Sequence, residues 1–300
     1  MHTPVPLARR QGPRKRVRWD MAAREHVGVL LRSWRQRHRR TQLELALDAE
    51  ISQRHLSFLE SGRASPSREM LLRLADRLDI PLRDRNGLLI AAGFAPVFAE
   101  RPIDHAAMAN ARSIVDSILR AHEPNPALVV DRHWNLVIAN NVVKALLAGV
   151  ADSSLLETPV NVLRLTLHPG GLAPQIVNLP EWRAHILERL RRQIEASADS
   201  ELTALLAELA GYGSIPNETG ETASVYGRAA PTGDPSDVAR YAVAVPLELS
   251  TSVGRLSLIS TTTVFGTATE IILSELVIES FYPADEATAE RLVKLQNSAT

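Results

Sequence analysis

The chain has 300 residues, 45% of them hydrophobic and 23% charged, enough for two packed cores and ordinary for a globular protein. It contains no cysteine, which excludes disulfides, thiolate metal sites, iron–sulfur clusters and thiol nucleophiles, and agrees with a reducing, cytoplasmic compartment. A formal net charge of zero conceals a division, because residues 1–101 hold 20 Lys+Arg against 11 Asp+Glu and the remainder 14 against 23; the basic part is the one suited to a polyanion.

Residues 1–22, with Arg14, Lys15, Arg16 and Arg18, have charges but no apolar stretch behind them. They read as a disordered basic arm rather than a signal peptide, suited to non-specific attraction or to a minor groove. The longest apolar run, LLIAAGFAPVFA at 88–99, is too short to cross a bilayer and is broken by Gly93 and Pro96, so no membrane insertion is expected.

From Glu25 to Arg37, Val27, Leu30, Leu31 and Trp34 recur at helical spacing. Thr41 followed by Glu44 is a capping box for a second helix ending near Ala49, with Leu43, Ala46 and Leu47 expected inward. Ser52 caps a third helix, QRHLSFLESG, which buries Leu56 and Leu59. Two helices separated by about three residues must cross steeply, which requires a small residue such as Ala46 between them. The crossing holds the third helix proud, with Gln53, Arg54, His55 and Ser57 outward, so that its leading turn fits a major groove about 12 Å wide. A fourth helix runs from Ser67 to Leu78, is stopped by Pro81, and a fifth spans Leu82 to Ala92.

TQLELALDAEIS, QRHLSFLESG, SPS and LLRLADRLDIP together resemble the DNA-binding domain of XRE-type helix-turn-helix repressors, and residues 23–101 are assigned to such an all-α, five-helix domain. The resemblance implies a phosphate contact from Gln42 at the start of the second helix and places Ser52 at the interface as the cap of the recognition helix. Gln53 and Arg54 are the base-reading candidates, since Gln can bond adenine and Arg guanine with two hydrogen bonds each. His55 and Ser57 are candidates for base or backbone, and Arg63 and Arg68 for phosphate. Where the family usually places glycine in the turn this chain has Glu50, which is expected to adopt a positive φ.

Past Pro102 the texture changes. A helix at 111–122 precedes two short strands, ALVVD and WNLVIA, with Trp134, Leu136 and Ile138 on one face, and Asn140 caps the next helix. Leu179 to Ala198 is a long amphipathic helix with Pro180 in its first turn, followed by a helix at 201–210. Residues 213–237 are rich in turn formers and read as loop. Strands return in RYAVAVPLELS, GRLSLISTTTVF and EIILSELVIESFYP, and Asp285 opens a last helix. This order is α+β, with helices expected on one face of an antiparallel sheet.

NPALVVDRHWNLVIANN, NVLRLTLHP, EWRAHILERLR and the block ending ESFYPAD resemble the MmyB-like ligand-binding domain, a PAS-like fold found behind an XRE-type domain, over residues 106–297. IANN stands where that family commonly has a tryptophan before the asparagine. The resemblance implies a sensor of a small lipophilic molecule such as a fatty acid. Leu128, Val130, Leu136, Ile138 and Trp182 are the pocket candidates, with Arg183 or Arg189 to meet a carboxylate.

No P-loop, GxGxxG, GxSxG or HExxH occurs, and His122, His133, His168 and His185 are scattered rather than spaced as ligands. No enzyme, cofactor or metal is expected. The sequence reads as a transcriptional regulator that binds double-stranded DNA as a homodimer on half-sites one turn apart, in the cytoplasm and on the nucleoid, under a lipophilic ligand. The rival is a protein-docking, antitoxin-like use of the helical domain.

Overall fold

The computed structural model describes residues 26–212, 214–216, 222–224, 245–266 and 268–298, and the basic arm lies outside them. Two units divide the chain: residues through Ile80 with Arg85–Pro96, and Pro81–Asp84 with residues from Val97 on.

The first unit is built from α1 (Val27–Arg37), α2 (Gln42–Asp48), α3 (Gln53–Glu60), α4 (Arg68–Arg77) and, from Arg85 on, α5 (Leu82–Ala91). Serine and threonine oxygens cap three of them: Thr41 accepts from Glu44 N, Ser52 from His55 N and Ser67 from Met70 N. The Glu44 carboxylate returns the bond to Thr41 N at 2.7 Å, completing the capping box. Leu31, Leu45, Leu56, Leu59, Leu71 and Leu74 form the core. On α2 the buried face is Leu45, Ala46 and Ala49; Leu43 and Leu47, expected inward, are 52% and 68% exposed. Leu43 and Leu47 are four residues apart and share a helix face, so both turn outward when Leu45 and Ala49 take the core.

Glu50 has φ +56°, the left-handed geometry that closes α2: Ile51 N donates to Ala46 O and Glu50 N to Leu47 O. Gly28, in the first turn of α1, serves close approach instead: an added Cβ would lie 2.2 Å from the carbonyl oxygen of Leu59. Only glycine lets α1 come this close to the end of α3.

The second unit is organised by a five-stranded antiparallel sheet in the order β2-β1-β7-β6-β5, formed by β1 (Ala127–Val130), β2 (Leu136–Ala139), β5 (Leu247–Thr251), β6 (Gly254–Val264) and β7 (Val277–Pro283). A separate pairing joins β3 (Ser214–Pro216) to β4 (Thr222–Ser224) within the segment read as loop; most of the rest of that segment lies outside the described residues. The helices are α6 (Ala109–His122), α7 (Asn141–Leu147), α8 (Val162–Leu167), α9 (Leu179–Ser197), α10 (Ser200–Gly211), α11 (Ile271–Glu275) and α12 (Glu286–Ser298).

Both faces of the sheet are covered, not one. Leu128 and Val130 of β1, with Leu249, Leu256 and Leu258, pack under α7 to α10 and α12, whereas Ala127, Val129 and Ile278 pack against Val115 and Leu119 of α6. This explains why β1 is apolar throughout instead of alternating. EIILSELVIESFYP, read as one strand, divides into the short helix α11 and β7; neither Gly nor Pro marks the break.

Candidate DNA interface and ligand cavity

In the first unit, the buried Glu60 at the end of α3 is held by side chains of two other helices. Arg35 of α1 donates to both carboxylate oxygens, at 2.6 and 2.8 Å, and the Gln42 side-chain amide donates to Oε2 at 2.8 Å. A further Arg35 nitrogen donates to Arg40 O at 2.8 Å. Burial pushes the Glu60 carboxyl up, but the bonds from Arg35 and Gln42 outweigh it and the pKa lies below its ordinary value. The network fixes α3 relative to α1 and α2, and so fixes what α3 presents.

What α3 presents is its leading turn. Ser52 spends its hydroxyl on the cap, and Gln53 and Arg54 are exposed. His55 and Ser57 are half-buried, and the Nε2 of His55 is shielded from solvent without a hydrogen-bond partner among the described residues. The side-chain amide of Gln42 gives one N–H to Glu60, and its main-chain N–H at the start of α2 has no intrahelical partner. Arg63 and Arg68 are exposed. One residue escaped the sequence reading: Phe58, whose ring lies 5.3 Å from the Arg54 guanidinium and 5.9 Å from that of Arg63. The spacing of Arg54 and Phe58 along one helix was the available signal.

In the second unit two cavities adjoin on the inner face of the sheet. One, of about 60 Å³, is lined by residues that include Trp134, Trp182, His185, Arg189, Ser260 and Glu279. The other, of about 70 Å³, is almost wholly apolar, with Leu128, Leu136, Leu146, Leu165, Leu172 and Leu258 among its walls. Val162, Thr166, Leu247 and Phe281 line both.

The polar end of the first cavity is an ion pair. Both terminal nitrogens of Arg189 donate to the Glu279 carboxylate, one of them at 3.2 Å, and Nη2 also donates to Thr262 Oγ1 at 2.8 Å. The guanidinium lies 4.6 Å from the Trp134 ring. His185 stacks on Trp182 at 5.4 Å, and burial, with Arg189 and Arg192 nearby, holds its pKa below the ordinary value.

Of the pocket candidates, Leu128, Leu136 and Trp182 line the cavities, and Val130 lies in the same core without lining them. Ile138 packs instead with the opposite face, because a β-bulge between Val129 and Val130 breaks the alternation that would have kept it beside Leu136. Arg183 donates to the carbonyls of Leu209 and Ala210 at the end of α10 and lines neither cavity. Glu279 was missed; a lone acid inside the apolar run LVIESF was its signal.

Residues 111–295 match the family model of the MmyB-like transcription regulator ligand binding domain, and residues 31–84 match that of the helix-turn-helix. The chain belongs to the MmyB-like transcription regulators. It is a DNA-binding transcription regulator with a ligand-binding domain, in which the helix-turn-helix is α2 and α3 and the cavities lie within the ligand-binding domain. No curated protein matches this MmyB-like regulator. No described helix is long and apolar enough to cross a membrane, and no cluster of metal-ligating side chains occurs among the described residues.

Proposed function

We propose that this regulator binds operator DNA as a homodimer, inserts the leading turn of α3 into the major groove, and changes its affinity when a small lipophilic molecule occupies the paired cavities. The observation that carries the DNA half is the exposure of Gln53 and Arg54 on a helix that the Arg35–Glu60–Gln42 network holds in place. In this reading Gln53 and Arg54 read bases, Ser57 and His55 lie alongside, and Gln42, Arg63 and Arg68 meet phosphates. Two copies match paired half-sites one helical turn apart. The protein acts in the cytoplasm, on the nucleoid, and no catalytic step is involved.

The ligand half rests on the cavities. At roughly 10–15 Å³ per water-sized group, the cavities hold about four to seven such groups each, so the two suit an acyl chain of medium length, as in a fatty acid or a derivative of one. To regulate, the ligand must bind the two conformations of the protein with different affinity.

Selection of a duplex from random sequence, followed by binding at increasing salt, tests the DNA half. Affinity should fall steeply between about 50 and 200 mM salt; a flat response favours protein docking by the helical domain instead. Arg54→Ala should cost about 1–3 kcal/mol and relax preference at one base position. Native mass spectrometry of protein purified from its host should show a dimer with a retained lipid.

A further inference from the structure

The cavity beside Arg189 looks at first like a carboxylate site, but its charge is already balanced. Arg189 gives both terminal nitrogens to Glu279, whose side chain is only 5% exposed, and one of them also to Thr262. A ligand carboxylate placed here would share one guanidinium with a second, buried carboxylate, in surroundings that are mostly apolar, with Leu163, Ile186 and Phe281 prominent and the hydroxyls of Thr166 and Ser260 the uncharged polar exceptions, Thr166 already donating to Val162 O. His185 adds no compensating charge, since burial and the nearby arginines favour its neutral form. One polar group at this end does lack a partner. The Nε1–H of Trp182, a residue 6% exposed that lines the cavity, has no acceptor among the described residues. A buried donor without an acceptor is costly, and a ligand that supplies one recovers that cost.

We infer that the ligand ends in an uncharged group with a hydrogen-bond acceptor, such as an amide, ester, lactone or alcohol, placed against Trp182 Nε1, and that the Arg189–Glu279 pair excludes free carboxylates. The inference rests on the proposal that the cavities hold an acyl chain; it concerns the head group alone. Glu279 is then a specificity-determining residue, because it neutralises the arginine that lines the cavity and would otherwise recruit an acid.

Calorimetric titration of the full-length protein with octanamide and with octanoate at neutral pH tests this, since the two probes share a chain and differ in charge. Octanamide should bind about tenfold or more tightly than octanoate. Trp182→Phe, which keeps an aromatic ring and removes the donor, should weaken octanamide about fivefold to tenfold. Glu279→Gln, which frees the charge of Arg189, should reverse the preference in favour of octanoate. Octanoate binding as tightly as octanamide to the unaltered protein overturns the head-group inference while leaving the acyl-chain reading intact. Failure of both probes to bind removes the acyl-chain reading and the inference with it. The comparison on unaltered protein and on Trp182→Phe decides the matter even if Glu279→Gln does not fold.

Discussion

Each unit of this regulator buries an arginine–glutamate pair, and the two pairs have different surroundings. Arg35 and Glu60 have side chains 11% and 3% exposed, and the carboxylate accepts a further bond from Gln42. Arg189 and Glu279 are 29% and 5% exposed, and both line a cavity. A buried ion pair contributes little net stability over a packed apolar substitute, yet removing one partner is expensive because it strands the other charge. The first pair is therefore read as a brace that sets where α3 points. The second stands beside space that a ligand can enter, and its consequence is selectivity.

The sharpest way to break this comparison is to truncate the two acids. Glu60→Ala should cost about 3–5 kcal/mol, because it strands Arg35 in the core and leaves Gln42 without its acceptor. Glu279→Ala should cost less, about 1–2 kcal/mol, because Arg189 retains access to water and Thr262. Urea unfolding of both variants checks the order; equal losses would mean that the second pair is also a brace. Arg35→Met combined with Glu60→Leu should recover most of the loss from the single change.

Gly28→Ala approaches the same brace from the backbone. The new methyl would meet the Leu59 carbonyl at 2.2 Å, a main-chain atom that cannot rotate away, so α1 must move off α3 and carry Arg35 with it. A loss of about 2–3 kcal/mol is expected, with operator affinity falling alongside stability. A thermal melt that leaves Gly28→Ala unchanged would show that the α1–α3 contact is looser than described.

A proton sharpens the comparison from the ligand side. The folded pKa of His185 is held below its ordinary value by burial, with Arg189 and Arg192 adding to the effect. Protonation therefore favours the unfolded chain first. Stability attributable to His185 is fully present above about pH 6.5 and is lost as pH falls from there through the folded pKa. His185→Gln should flatten that part of the pH–stability curve; a slope unchanged in the variant would assign it to other groups.

The first unit was legible because its signals are local. Thr41 with Glu44, and Ser52 with the helix behind it, are caps within four residues of what they cap. Even there, periodicity placed Leu43 and Leu47 inside, since an apolar residue on a short helix does not declare which stripe faces the core. The cavity was legible only in part. Leu128 and Leu136 followed from strand alternation, but the bulge that sends Ile138 to the other face and the pairing of Arg189 with Glu279 across 90 residues depend on contacts no local pattern encodes. Arg183 and Arg189 both lie on α9, and only the fold decides that one seats on α10 and the other lines the cavity.

The smallest expected effect concerns the turn that the brace supports. Glu50 occupies a left-handed position, φ +56°, where a side chain with a Cβ is strained and glycine is not. Glu50→Gly should stabilise the first unit by about 0.5–1 kcal/mol, the relief of strain being offset in part by the greater freedom of glycine in the unfolded chain. Glu50→Ala separates that cause from charge: alanine removes the carboxylate and keeps the Cβ, so it should bring no comparable gain. A rise in the urea midpoint for glycine alone places the strain in the backbone. An equal rise for both variants would trace it to the negative charge of Glu50 and remove the turn from the account of how α3 is held.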